Sequence, residues 1–216
     1  MDVDFELVTM NDRCYPEQLK QIYDAPNRLF VRGNKNILGD FGIAIVGCRD
    51  NTKYGKLIAK NLGYNLAKNG VNIISGLAKG IDSFAHIGAI YAKGKTIAVL
   101  GNGIDTIYPK ENEIIAKKII EYGGAIISEY PVGAKIKKTN FPERNRIISG
   151  LSKGVVVVEA KEKSGSLITA DFALEQGRDV YAVPGEISSI YSIGTNKLIK
   201  EGAIPVTSYK DIIYNV

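Results

Sequence analysis

The 216-residue sequence predicts an α/β fold: a doubly wound, mostly parallel sheet with helices on both faces. Three observations carry this expectation. From about residue 40 onward, β-branched runs alternate with amphipathic helical stretches across Gly- or Ser-rich turns, the order of successive strand–helix units. Several of the runs are continuously apolar rather than alternating, so both of their faces need cover. The composition, 45% hydrophobic and 24% charged, is that of an ordinary globular chain. No apolar stretch approaches the roughly 18 residues of a bilayer span.

The elements follow in order. Gly42–Val46 is a strand that turns at Gly47-Cys48-Arg49 into a helix over Tyr54–Lys68. Val71–Ile74 turns at Ser75-Gly76 into a helix over Ile81–Ala92. Thr96–Leu100 passes through Gly101-Asn102-Gly103 to a helix over Glu111–Tyr122. Ala125–Ile127 enters a long basic loop and a short helix over Arg144–Gly150. Gly154–Val158 precedes a helix over Ser166–Gln176, and Asp179–Val183 ends at Pro184-Gly185. A helix over Thr195–Lys200, a strand over Ala203–Val206 and a turn near Tyr209–Ile213 complete the chain. Residues 1–40 are too short to bury a core of their own; they are expected to pack as an arm on a single domain spanning 41–216.

Residue counts narrow the chemistry. Two cysteines, Cys14 and Cys48, make neither a disulfide framework nor a zinc site and are expected as reduced thiols in a cytoplasmic protein. A single histidine, His86, inside an apolar helix, leaves Ser75, Ser128 and Ser166 without an evident base. The acidic start Met1–Glu6 lacks the apolar run of a signal peptide. The chain carries +5, and the window Pro131–Lys153, with six basic residues and one acid, equals that whole excess. A local basic stripe on a near-neutral body points to a polyanionic partner.

In an open parallel sheet, ligands bind beyond the carboxyl ends of the strands. Small residues recur there: Gly47, Ser75-Gly76, Gly101-Asn102-Gly103, Ser128 and Pro184-Gly185. Ser164-Gly165-Ser166 opens a helix in the same manner, and helix N-termini offer free N–H groups to anions. Each glycine also serves simply to turn the chain; several on one rim favour a phosphate-binding crevice. Two familiar nucleotide motifs fail. Gly101-x-Gly103 has Thr106 where a dinucleotide fingerprint needs glycine, and Gly94-Lys95-Thr96 has Ala89 where a P-loop needs one and enters a strand instead of leaving it. Asp82, Asp105, Glu129 and Glu159 serve equally as acids or as caps and ion-pair partners. In Thr139–Ile148, Arg144 and Arg146 stand two apart and cannot share one helical face, so one reaches the crevice and the other pairs internally. Phe141 either stacks on a base or packs in the core.

At this point the motifs resemble a known family. Gly42–Gly55 (GIAIVGCRDNTKYG), Ser75–Ala89 (SGLAKGIDSFAHIGA), Thr96–Pro109 (TIAVLGNGIDTIYP), Phe141–Ser152 (FPERNRIISGLS) and Ser164–Gln176 (SGSLITADFALEQ) are similar, in order and spacing, to the DprA/Smf DNA-processing proteins. The resemblance covers about residues 12–206. It implies a modified Rossmann fold that binds single-stranded DNA, protects incoming DNA in natural transformation and helps to load a RecA-type recombinase. It also implies a homodimer with no catalytic residues, cofactor or metal. The nucleic-acid contacts it suggests are Arg49 and the segment with Phe141, Arg144, Asn145 and Arg146, and Lys53, Gly76 and Lys138 are expected beside them. Gly165, Ser166 and Thr169 belong to the same rim, and Leu198 and Ile199 to the dimer interface. Relative to longer members, the chain is expected to lack a separate N-terminal helical domain and a winged-helix tail.

Two rival readings stay open. Lysine-decarboxylase-like nucleotide phosphoribohydrolases share the fold class, but their catalytic loop carries a glutamate where this chain has Thr169. A regulatory module that senses a small nucleotide is the other.

Overall fold

A computed structural model describes residues 4–215; the first three residues of the acidic start, and Val216, lie outside it. The described residues form one nine-stranded sheet in the order β1-β2-β6-β5-β4-β3-β7-β8-β9. The strands are β1 (Glu6–Thr9), β2 (Arg28–Gly33), β3 (Gly42–Val46), β4 (Asn72–Ser75), β5 (Thr96–Leu100), β6 (Ala125–Ser128), β7 (Gly154–Val157), β8 (Asp179–Ala182) and β9 (Ile204–Pro205). From β6 to β9 every pairing is parallel. The helices are α1 (Glu17–Lys20), α2 (Lys53–Lys68), α3 (Ile81–Tyr91), α4 (Glu113–Glu121), α5 (Asn140–Gly150), α6 (Gly165–Glu175), α7 (Ile193–Lys200) and α8 (Lys210–Ile213).

The continuous apolar runs become fully buried strands because neighbouring residues face opposite layers. Ala44, Val46, Val155 and Val157 pack with Leu19 of α1, Ile147 of α5 and Ala170 of α6. Ile43, Ile45 and Val156 pack with Ala59, Leu62 and Leu66 of α2 and Ala85 of α3. Among the described residues no helix is long and apolar enough to cross a membrane.

The first forty residues do more than lie on the body. β1 and β2 form an antiparallel pair, and β2 pairs antiparallel with β6, so this segment extends the sheet. Its loop is anchored by buried Tyr15, whose hydroxyl donates to the Pro26 carbonyl. The chain builds β3 to β6 outward on one side of β3, then crosses back to place β7 on the other. The topological switch therefore lies between β3 and β7, and a ligand crevice is expected beyond their carboxyl ends.

Candidate nucleic-acid interface

A hollow of about 750 Å³ opens at that point. The turn after β3 (Gly47, Cys48, Arg49) forms one wall, and the loop after β7 with the start of α6 (Lys163, Ser164, Gly165, Ser166) another. Ile136 and Lys138 of the basic loop close it with Phe141, Arg144 and Asn145 of α5. Helix α5 begins at Asn140, four residues before the expected start, so Phe141 and Arg144 stand one turn apart on a single rigid element.

Arg144 forms the floor. It is only 4% exposed, and its Nη1 donates to the Gly76 carbonyl at 2.9 Å and to the Val99 carbonyl. A Cβ on residue 76 would stand 2.6 Å from the Arg144 guanidinium, so Gly76 is what lets the cation lie against the end of β4. Burial pulls Arg144 down to about 10, with nearby Asp82 acting the other way; it stays charged at neutral pH. Asp82, also buried, accepts from the Gly76 N–H at 3.1 Å. Burial pushes its carboxyl up, against the pull of Arg144. Arg144 Nε donates to Asn145 Oδ1 at 3.2 Å, and Asn145 Nδ2 donates to the Gly165 carbonyl at 3.2 Å, which ties α5 to the first residue of α6.

The walls are free to meet a ligand. Arg49 is exposed, with its guanidinium carbon 5.4 Å from the Phe141 ring centre. Gly101 leaves room for that ring: a Cβ there would lie 2.9 Å from Phe141 Cδ1. Gly80, at φ +81°, packs under the same turn, where a Cβ would meet the Cys48 and Arg49 carbonyls at 2.3 and 2.5 Å. Arg49, Lys138 and Lys163 join none of the ion pairs among the described residues, whereas Lys161 is held by Asp50. The hollow thus has free cations on its walls, while its two carboxylates are paired (Asp50) or buried (Asp82). At its edge α6 starts with no acid in the first turn, Ser164 capping the Ser166 N–H. The space beyond Gly165 is open.

Of the residues singled out from sequence, Arg49, Lys138, Phe141, Arg144, Asn145, Gly165, Ser166 and Thr169 line this hollow, and Gly76 lines a niche off it. Arg146 does not. It points the other way, pairing with Glu129 at 2.8 Å and with Asp24 of the N-terminal segment at 3.0 Å, and so takes the internal role that one of the two arginines was expected to fill. Lys53 lines a neighbouring hollow with Tyr54, Glu159 and Pro184. Glu159 caps α2, accepting from the Thr52 N–H at 2.9 Å and from its hydroxyl. Leu198 is buried and packs into the core of the protomer; Ile199 is half-buried.

Sequence reasoning did not single out Lys163 or Tyr108. Tyr108 stands with its ring centre 5.8 Å from that of Phe141. Its signal was the Tyr-Pro pair that ends the third motif. His86 is fully buried with Nδ1 2.7 Å from the Thr96 hydroxyl, and burial drives it down to about 3, so it is a neutral packing residue. Among the described residues no three His, Cys, Asp or Glu side chains gather as a metal site.

Comparison with known proteins places this geometry. The family model for DNA recombination-mediator protein A matches residues 6–216. Protein Smf of Escherichia coli is 48% identical over 210 residues, covering 97% of this chain and 56% of that protein, so the chain spans little more than half of that relative. The X-ray structure of DNA processing protein A from Streptococcus pneumoniae superposes with a TM-score of 0.92 at 46% identity, covering 98% of this chain and 74% of that one. A structure of DNA processing protein A from Helicobacter pylori, concerned with its single-stranded DNA binding mode, gives 0.87 at 31% identity, covering 100% of this chain and 97% of that one. A family model that matches almost the whole chain and a relative nearly half identical to it show the same lineage, and the chain belongs to the DprA/Smf family of DNA recombination-mediator proteins.

Proposed function

We propose that this chain binds single-stranded DNA in the hollow at the β3/β7 switch point, as a holder of the strand and not as a catalyst of bond cleavage. One observation carries the reading: free Arg49, Lys138 and Lys163 surround a buried cation, Arg144, and an aromatic ring, Phe141, in a single opening. Cations neutralise phosphates without reading sequence, and an aromatic ring stacks any unpaired base. The bases of a duplex are stacked and do not enter such a hollow. Phosphoribohydrolase chemistry is disfavoured, because the first turn of α6 has no acid and Thr169 is buried in its wall.

The same reading includes delivery of the strand to a RecA-type recombinase and assembly as a homodimer. The segment before α7 and its first residue carry exposed Ile187, Ile190 and Ile193, apolar side chains that suit contact with a second copy.

Fluorescence anisotropy with labelled oligo-dT, single- and double-stranded, at two salt concentrations tests the binding. Single strands bind more tightly, and affinity falls with salt. Arg49→Ala weakens binding by about 1–3 kcal/mol through loss of a charge-assisted contact. Equal affinity for both forms, or an Arg49→Ala protein that is folded and binds normally, refutes the proposal.

A further inference from the structure

The outer face of α2 is a charged surface that the hollow does not use. This sixteen-residue helix carries Lys53, Lys56, Lys60 and Lys68 and no carboxylate. At 100° per residue all four fall on one face together with Leu57 and Tyr64. None of them joins an ion pair among the described residues.

The arrangement is unfavourable for an isolated helix. Lys56 and Lys60 stand at i and i+4, where like charges repel. Lys53 and Lys56 occupy the first turn, where the helix dipole also disfavours cations. The nearby carboxylate, Glu159, is buried and bonded to Thr52.

Aromatic rings interleave with the cations. Lys56 Nζ lies 4.9 Å from the Phe84 ring centre, Lys60 Nζ 4.1 Å from that of Tyr91, and Lys68 Nζ 5.8 Å from that of Tyr64. Tyr64 and Tyr91 are exposed. The ridge is about 22 Å long. It starts at the hollow lined by Lys53 and Tyr54, on the side of the switch point where Arg49 stands.

We infer that this ridge is a second polynucleotide-binding surface, which takes the stretch of single-stranded DNA that runs out of the switch-point hollow. The inference rests on the proposed function of that hollow. Uncompensated lysines recruit phosphates, and the exposed tyrosines between them offer faces to unpaired bases. A bound polyanion also relieves the repulsion along the helix.

The test is a Lys56→Gln/Lys60→Gln/Lys68→Gln protein, titrated with labelled oligo-dT of roughly 6 and roughly 30 nucleotides. Glutamine keeps helix propensity, and circular dichroism verifies the fold. The variant binds the short probe within about twofold of the parent. It binds the long probe more weakly, and its salt slope there falls by about 2, from roughly 0.7 per phosphate contact over three lysines. Arg49→Ala, by contrast, weakens both probes. Unchanged affinity and slope on the long probe overturns the ridge and leaves the hollow standing. Equal loss on both probes also overturns it as a separate surface, and no binding of either probe by the parent overturns both readings.

Discussion

Replacing Arg144 with Met tests whether a buried cation underlies the hollow. Methionine fills much of the same volume without charge. Two consequences follow from the geometry. The Gly76 and Val99 carbonyls lose the Nη1 donor, a cost of about 1–3 kcal/mol for buried acceptors left unpaired. Asp82 also loses the positive charge that opposes its desolvation. Unpaired carbonyls alone are a sizeable share of a total stability of about 5–15 kcal/mol. The second part depends on pH. Asp82 is raised in the folded protein by burial, and loss of Arg144 raises it further. Above the ordinary aspartate value of 3.8 the unfolded chain has released that proton while the folded variant retains it. The unfolded state then binds fewer protons, so stability falls as pH rises through this window, by up to about 1.4 kcal/mol per pH unit. Urea denaturation of parent and variant at about pH 4.5 and about pH 7 measures the difference. The variant's deficit is larger at the higher pH. A deficit of the same size at both values refutes the coupling of Asp82 to Arg144. No deficit at either value refutes the structural role of the cation.

Two further outcomes are expected. Gly165→Glu places a carboxylate in open space at the mouth of the hollow, where its Cβ meets nothing within 4 Å. It leaves stability unchanged or raises it by about 0.3–1 kcal/mol through the α6 dipole, while single-strand affinity falls by about tenfold; an affinity equal to the parent's, measured by anisotropy, removes the α6 start from the site. His86 is held down to about 3 by burial, so below its ordinary value of 6.5 the unfolded chain takes up a proton that the folded one refuses. The His86 contribution therefore drops as pH falls from about 6.5 toward 5, against the opposite trend from Asp82; His86→Gln, which keeps a donor for Thr96, removes that contribution, read as the difference between the parent and variant slopes in denaturant titrations, and equal slopes show that another group titrates there.

The sheet was legible because burial on both faces leaves a continuous apolar run, and β3, β5 and β7 each show one. The N-terminal strands were not. Glu6–Thr9 and Arg28–Gly33 are short, and the partner that turns them into strands is β6, almost a hundred residues downstream of Arg28 in sequence. Pattern reading sees local periodicity, and only the tertiary pairing supplies the missing neighbour. The candidate site divides along the same line. Candidates marked by backbone freedom or a free positive charge, such as Gly76 and Arg49, lie in turns whose position at strand ends follows from topology, and Gly165 opens the helix after such a turn. Those whose role depends on which way a helix faces do not. Arg144 and Arg146 differ in surroundings because α5 turns one toward β4 and the other toward Glu129 and the N-terminal segment. Spacing alone required them to diverge without fixing which one went inward to the site. Of that internal pairing the N-terminal segment supplies Asp24, and the turn after β6 supplies Glu129. Arg146 thus faces Asp24 and Glu129 on one side of α5, while Arg144 reaches the Gly76 and Val99 carbonyls on another.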